Sequence, residues 1–221
     1  MGREILPLTL DRLSDLPAGC LQCVFWELAP AASTRGRSCP REDKEGWLTT
    51  TLLDWGSPGR VAYVDGVPAG YLTFAPAHLV PRAIAFPTSP VSQDSVVLMT
   101  ARIDPRYTGQ GLGRVLVQAA AKDALRRGVR ALEAYGSSGP ARDCVLPSDF
   151  LRAVGFQTAR DHPAYPRMRL DLRTVLRWRS EVEQAVERLL APVRGLGAPQ
   201  PVGAAHLDGP LATEVSPPAT P

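Results

Sequence analysis

The segment from Val96 to Arg127 restricts the fold more than any other part of the chain. Val96-Val-Leu-Met-Thr-Ala-Arg-Ile103 is a nearly continuous apolar run of strand length, the pattern of a strand covered on both faces. Pro105 ends it, glycines follow at 109, 111 and 113, and a helix is expected over Leu112 to Arg127. Its apolar stripe is Val115, Leu116, Ala119, Ala120 and Leu125, and Gly128 stops it. A covered strand that breaks into a glycine-rich turn and passes straight into a helix commits the chain to an α/β arrangement. It also leaves the first helical N–H groups unpaired at the positive end of the macrodipole, a ready site for a phosphate or pyrophosphate. Glycine supplies positive φ there and lets a ligand approach the backbone.

Three phosphate-binding patterns compete for this turn. A P-loop needs Gly-Lys-Ser/Thr, and Gly113 is followed by Arg114-Val115. A dinucleotide fingerprint can be forced onto Gly109-x-Gly111, but Arg114 stands where its third glycine belongs. The third pattern fits: Thr108-Gly-Gln-Gly-Leu-Gly113 resembles the acyl-coenzyme A loop of the GCN5-related N-acetyltransferase (GNAT) superfamily, where Gln/Arg-x-x-Gly-x-Gly/Ala joins the fourth strand to the third helix. A second segment, Asp149-Phe-Leu-Arg-Ala-Val-Gly-Phe156, resembles the short helix and Gly-Phe turn of that family and is followed by a strand. The hairpin Val61 to Phe74 takes the place of its second and third strands, so the resemblance runs from Arg60 to Leu172.

The resemblance implies a GNAT fold, a mixed central β-sheet with splayed fourth and fifth strands flanked by helices. It implies acetyl-CoA as co-substrate, with the pyrophosphate on Thr108, Gly109, Gln110, Gly111, Leu112, Gly113 and Arg114 and the pantetheine along Ala101, Arg102 and Ile103. Two departures from the family are visible. Thr108 replaces the usual Gln or Arg, leaving Arg106 or Arg114 to supply the cation. Leu151 stands where many members carry a tyrosine as general acid.

Elsewhere the chain alternates elements. A helix is expected over Glu42 to Trp55 with Trp47, Leu48, Leu52 and Trp55 on one face, and strands over 60–64 and 70–74 around a type I′ turn at Asp65-Gly66. A strand follows over Ala131 to Tyr135, then a short helix over Ser148 to Val154 with Ser148 as N-cap, and a closing strand over Met168 to Leu172. Pro76 to Ser95 holds four prolines and reads as a functional flap, the alternative being an unrecognised short element. Val175, Trp178, Val182, Val186 and Leu189 predict an amphipathic C-terminal helix, and the Gly/Ala/Pro-rich residues after it a disordered tail. The domain organisation is therefore an acyltransferase domain over 1–172, the helix over 173–194 and the tail over 195–221.

Acetyl transfer requires an unprotonated amine and a proton for the departing thiolate. Glu133, the one acid inside a central strand, is the candidate base. Tyr135 on the same face is a candidate donor, as is Cys144, with Tyr165 a further substitute. A Cys144 nucleophile would need His162 as its base. Cys20-Leu-Gln-Cys23 with Cys39 and His78 invites a zinc reading, but lacks a second ligand pair, and no metal is expected.

The net charge of +3, with no dense basic cluster, argues against nucleic acid. No apolar stretch is long enough for a membrane span, and no signal-peptide core follows Met1, so a cytoplasmic location is expected. Two lysines, no asparagine and 22 prolines suggest a GC-rich, bacterial genome. The acceptor, a small-molecule amine or a protein amino group, is left open, as is homodimerisation. A non-catalytic acyl-CoA-binding sensor or scaffold module is the alternative to an enzyme.

Overall fold

The structure, a computed structural model, describes residues 2–30, 39–139 and 144–173. The expected C-terminal helix and tail lie outside the described residues. Strands β1 (Arg3–Pro7), β2 (Gly59–Val64), β3 (Val67–Ala75), β4 (Ser95–Ile103), β5 (Ala131–Ser137), β7 (Gln157–Arg160) and β8 (Arg167–Asp171) form a mixed sheet in the order β1-β2-β3-β4-β5-β8-β7, with the two-residue β6 (Leu146–Pro147) beside β5. The β4–β5 and β5–β6 pairings are parallel and the rest antiparallel. The helices are α1 (Ala18–Leu21), α2 (Pro40–Asp54), α3 (Leu112–Arg126) and α4 (Ser148–Ala153).

Alternation along the central strands sorts the core onto two faces. Val96 and Leu98 of β4 and Leu132 and Ala134 of β5 pack with Leu116, Val117, Ala120, Ala121 and Ala124 of α3. Val97 and Met99 of β4 and Tyr135 of β5 point the other way, into a cluster with Trp26, Val80, Ala83 and Phe86. Small alanines let α3 lie close on the sheet, and its buried stripe is turned from the expected one: Val115 is exposed, while Val117 and Ala121 are buried. Leu8, Leu13, Leu16 and Leu48 bring the N-terminal segment and α2 onto Val61 and Tyr71.

The hairpin turn between β2 and β3 contains two residues. Asp65 (φ 50°) and Gly66 (φ 78°) both adopt positive φ, and Val64 pairs with Val67, as a type I′ turn requires. The stretch after β3 is occupied by short 3₁₀ turns at Ala77–Leu79 and Pro81–Ala85, with Val80, Ala83, Phe86, Thr88 and Val91 buried. It is a packed wall of the second cluster, built on short 3₁₀ elements that the sequence did not announce, where a functional flap was expected. Ser148 is the first residue of α4 rather than its N-cap, its hydroxyl 3.3 Å from that of Ser138. Strand β1 was not expected, its five residues being too short and too mixed in polarity to announce an edge strand.

Candidate active site

The parallel pairing of β4 and β5 is short. It joins Ser95 to Ala131, Val96 to Leu132 and Val97 to Glu133 and then ends, although β4 continues to Ile103 and β5 to Ser137. The two strands part beyond Val97. Strand β4 stays paired to β3 through Ile103, and β5 instead takes up β6 at Gly136 and Ser137. At the far end of β4, a 3₁₀ turn at Pro105–Tyr107 leads into the glycine loop and α3. Asp104 caps that turn by accepting from Arg106 N at 2.9 Å, and Thr108 Oγ1 donates to Pro105 O at 2.9 Å.

Gly109 (φ 74°) and Gly111 (φ 79°) hold left-handed conformations, with open space where a Cβ would stand. Gly111 is the N-cap of α3, so the unpaired N–H groups of its first turn open onto the exposed loop. These features fit a pyrophosphate. Gly113 has a different reason to be glycine: a Cβ there would lie 2.9 Å from Phe150 Cε2, so it lets α4 approach α3. Leu112 is buried against Val64 and Ala69, which leaves only its backbone for a ligand.

The two cations nominated to replace the family's Gln or Arg are both tied down. Arg106 grips Asp104 through Nε at 3.0 Å and Nη2 at 2.8 Å, which pulls the Asp104 carboxyl down to about 2. Arg114 Nη2 donates to Ala153 O at 2.6 Å. A third cation reaches the loop unannounced. Arg3 of β1 donates to the carbonyl and side-chain oxygens of Gln110 at 3.3 and 3.4 Å. It lies more than a hundred residues away in sequence, on a strand the pattern did not reveal.

Along β4, Ala101 and Ile103 are half-buried on the α3 face. Thr100 and the exposed Arg102 border a cavity of about 430 Å³ on the other face, together with Cys20, Cys23, Tyr71 and Cys144. A buried ion pair between Lys44 and Glu27 closes its floor. Cys144 also borders a second cavity of about 370 Å³ lined by Phe25, Phe86 and Tyr165.

Glu133 is fully buried at the closed end of the opening, where β4 and β5 last pair. Its Oε1 accepts from Arg169 Nη1 at 3.0 Å, and its Oε2 accepts from Ser92 N at 3.2 Å and lies 3.4 Å from Arg167 Nη1. Both oxygens are engaged. Tyr135 is 1% exposed, stacked on Phe86 at 4.3 Å between centroids and on Trp26 at 6.3 Å. Its hydroxyl, near Ser89, has no well-aligned hydrogen-bond partner among the described residues. Burial raises its pKa, so the phenol keeps its proton.

Cys144 Sγ lies 3.0 Å from Cys23 Sγ, and Cys144 O accepts from Trp26 Nε1 at 2.7 Å. The hydrogen bond from Cys144 pulls the Cys23 thiol down to about 6, with help from the Phe25 backbone and Lys44 and against burial and Glu27. Cys144 is pushed up in turn by that bond and by burial. His162 is not brought to Cys144 as a base: its Nδ1 accepts from Ala164 N and Tyr165 N at 3.1 and 3.0 Å. Cys20, Cys23, Cys39 and His78 do not assemble, and among the described residues no group of three or more His, Cys, Asp or Glu is placed to hold a metal. Leu151 is fully buried in the core under α3. Among the described residues no helix is long and apolar enough to cross a membrane.

Among curated protein sequences none matches the chain significantly. Solved structures share its fold. PaiA N-acetyltransferase from Thermoplasma acidophilum in complex with coenzyme A has a TM-score of 0.52 at 15% identity, over 77% of this chain and 99% of that one. A ribosomal-protein-alanine N-acetyltransferase from Brucella melitensis has a TM-score of 0.52 at 22% identity, over 76% and 99%. The aminoglycoside acetyltransferase AAC(6')-Ib in complex with coenzyme A has 0.53 at 15%, over 80% and 99%. The model of the acetyltransferase (GNAT) family matches residues 21–143, more than half the chain, from the N-terminal segment through β4, the glycine loop, α3 and β5. The chain belongs to the acetyltransferase (GNAT) family.

Proposed function

We propose that this protein is an N-acetyltransferase that moves the acetyl group of acetyl-CoA directly onto an amine. One observation carries the reading: the glycine loop at the head of α3 stands at the end of the same strand, β4, whose edge is left without a strand partner among the described residues where β5 departs. A long ligand can lay its pyrophosphate on the loop and its amide-bearing arm along the free edge of β4, pairing as an added strand would. Arg3, beside Gln110, supplies positive charge that Thr108 lacks. Residues Ala101 to Ile103 flank the arm, and the reacting end lies toward the cavity bordered by Thr100, Tyr71 and Cys144. We assign that cavity to the acceptor. The neighbours whose names specify a ribosomal protein or an aminoglycoside as acceptor support an amine, in a small molecule or a protein.

Acetyl-CoA supplies an activated thioester; the chain must orient it and manage two protons. Tyr135 is the residue we assign as proton donor to the departing thiolate. Its hydroxyl is buried and protonated, without a well-aligned partner among the described residues, on the strand that borders the opening. Cys144, whose thiol also keeps its proton, is the second candidate at the acceptor cavity. Glu133 is assigned a structural role, because three donors hold its carboxylate. The amine then loses its proton to water or arrives neutral. The engagement of Glu133 and the leucine at position 151 favour the second reading, a module that binds acyl-CoA without turnover.

Acetyl-CoA should raise the melting temperature, by about 2.7 kcal/mol of stabilisation at a hundredfold excess over Kd. Gly111→Asp, which places a side chain and a negative charge on the loop, should abolish that shift while the apo protein still melts cooperatively. An undiminished shift in the variant would overturn the loop assignment. Steady-state CoA release with a panel of amines separates enzyme from binding module: no amine-dependent release despite a normal shift would favour the module.

A further inference from the structure

We propose that Cys23 and Cys144 are an oxidation site, at which a hydroperoxide converts two thiols into a reversible disulfide across the acceptor cavity. The two sulfurs are 3.0 Å apart although 121 residues separate them in sequence. Their chain segments are already fastened together, because Trp26 Nε1 donates to Cys144 O at 2.7 Å and the same indole stacks on Phe86 at 5.3 Å. Forming the bond therefore asks for a small approach of two side chains. Both thiols are half-buried and border the same cavity of about 430 Å³, which is ample for a peroxide.

The environment also divides the work. Cys23 is acidified by its hydrogen bond to Cys144, by the Phe25 backbone and by Lys44, while Glu27 opposes this. That lowering favours the thiolate, the form that reacts. The Cys23 thiolate attacks one peroxide oxygen, the O–O bond breaks, and the released hydroxide takes a proton to leave as water. The resulting sulfenic acid is then attacked by the Cys144 sulfur. The Cys144 proton is lost, the S–O bond breaks, and a second water leaves. Two thiols give two electrons and two protons to one hydrogen peroxide, yielding one disulfide and two waters. The other thiols are set differently. Cys20 is hydrogen-bonded with Tyr71, and Cys39, although exposed, is held protonated by Glu42.

A Cys23–Cys144 bond would tie the segment after α1 to the chain entering β6, and so narrow the approach to the thioester. That consequence rests on the acetyl-transfer reading; the oxidation chemistry does not. The full-length reduced protein is treated with stoichiometric hydrogen peroxide at pH 7, quenched with a thiol-blocking reagent and mapped by peptide mass spectrometry without reduction. The expected result is the loss of two thiols per chain, a single cross-link between the Cys23 and Cys144 peptides, and full reversal by dithiothreitol. Cys20→Ser should give the same cross-link. In Cys144→Ser, Cys23 should proceed to sulfinic acid, at least about tenfold faster than Cys39. A Cys20–Cys23 disulfide, preferential oxidation of Cys39, or two intact thiols after peroxide would each overturn the proposal. The wild-type map needs no variant to fold and no turnover, so its outcome is separable from that of the acetyl-transfer assays. With an amine acceptor found, oxidised protein should lose most of its CoA release and keep its acetyl-CoA melting shift. Unchanged release after complete cross-linking would remove the consequence for the acceptor.

Discussion

At Tyr135, burial and polarity pull in opposite directions. The ring is stacked and inaccessible, which stabilises the cluster, while its hydroxyl lies in that cluster without a well-aligned partner among the described residues, a cost of about 1–3 kcal/mol for an unsatisfied buried group. Proteins tolerate such costs at functional sites more readily than elsewhere. Tyr135→Phe should therefore leave the melting temperature unchanged or raised and preserve acetyl-CoA affinity, while lowering turnover by about 10²-fold. Equal turnover in the variant would remove Tyr135 from the chemistry. Leu151 points the other way. Restoring the family's tyrosine there looks attractive from sequence, but the side chain is fully enclosed in the core under α3. Leu151→Tyr should cost about 1–3 kcal/mol by overpacking and give no gain in rate, which thermal melts and CoA release would together reveal.

Among the elements, β5 and β8 are joined by more than their ladder. Arg169 lies between Asp94 and Glu133, meeting Asp94 at 2.9 Å and Glu133 at 3.0 Å. Glu133→Gln should destabilise the protein by about 3 kcal/mol, because Arg167 and Arg169 would be left facing a neutral amide, while acetyl-CoA affinity in the folded fraction stays normal. A variant as stable as wild type, with turnover down about 10²-fold, would return Glu133 to the role of base. Asp94 adds a pH dependence. Arg169 holds its carboxyl below the ordinary value of about 3.9. A depressed folded pKa stabilises above the unfolded value, and that contribution disappears as pH falls through the folded one. Asp94→Asn should thus lower stability at neutral pH and flatten the loss of stability below about pH 4, measured by melts across the acid range. This scale also explains what was legible in the sequence. Strand β4, the glycine loop and α3 are contiguous, so their period and punctuation suffice. The partners of Glu133 come from β8 and from Ser92, and the cation at Gln110 comes from β1. No local spacing announces a contact between segments so far apart. The Cys23–Cys144 approach is hidden for the same reason, and Cys-x-x-Cys drew attention to the wrong pair.

For the whole molecule, the question is how much of the chain the fold needs. The described residues already cover both faces of the sheet. Helices α3 and α4 lie over one face, while the N-terminal segment and the 3₁₀ turns of 77–85 lie over the other. Residues 195–221 contain no periodic apolar set, only Gly, Ala and Pro with scattered polar residues. Residues 174–190 are different, since Val175, Trp178, Val182, Val186 and Leu189 recur at helical spacing. The sequence thus carries one apolar stripe beyond the described residues and none in the final 27. Ending the chain after residue 194 should change stability by less than about 0.5 kcal/mol and leave the acetyl-CoA melting shift intact. Ending it after residue 173 should lower the melting temperature or the solubility, because an apolar stripe and whatever it covers are lost together. Two truncations melted side by side, with and without acetyl-CoA, decide the matter. A loss of folded protein already at 194 would assign structure to the last segment, and two indistinguishable melts would make the stripe an interaction surface rather than part of this core.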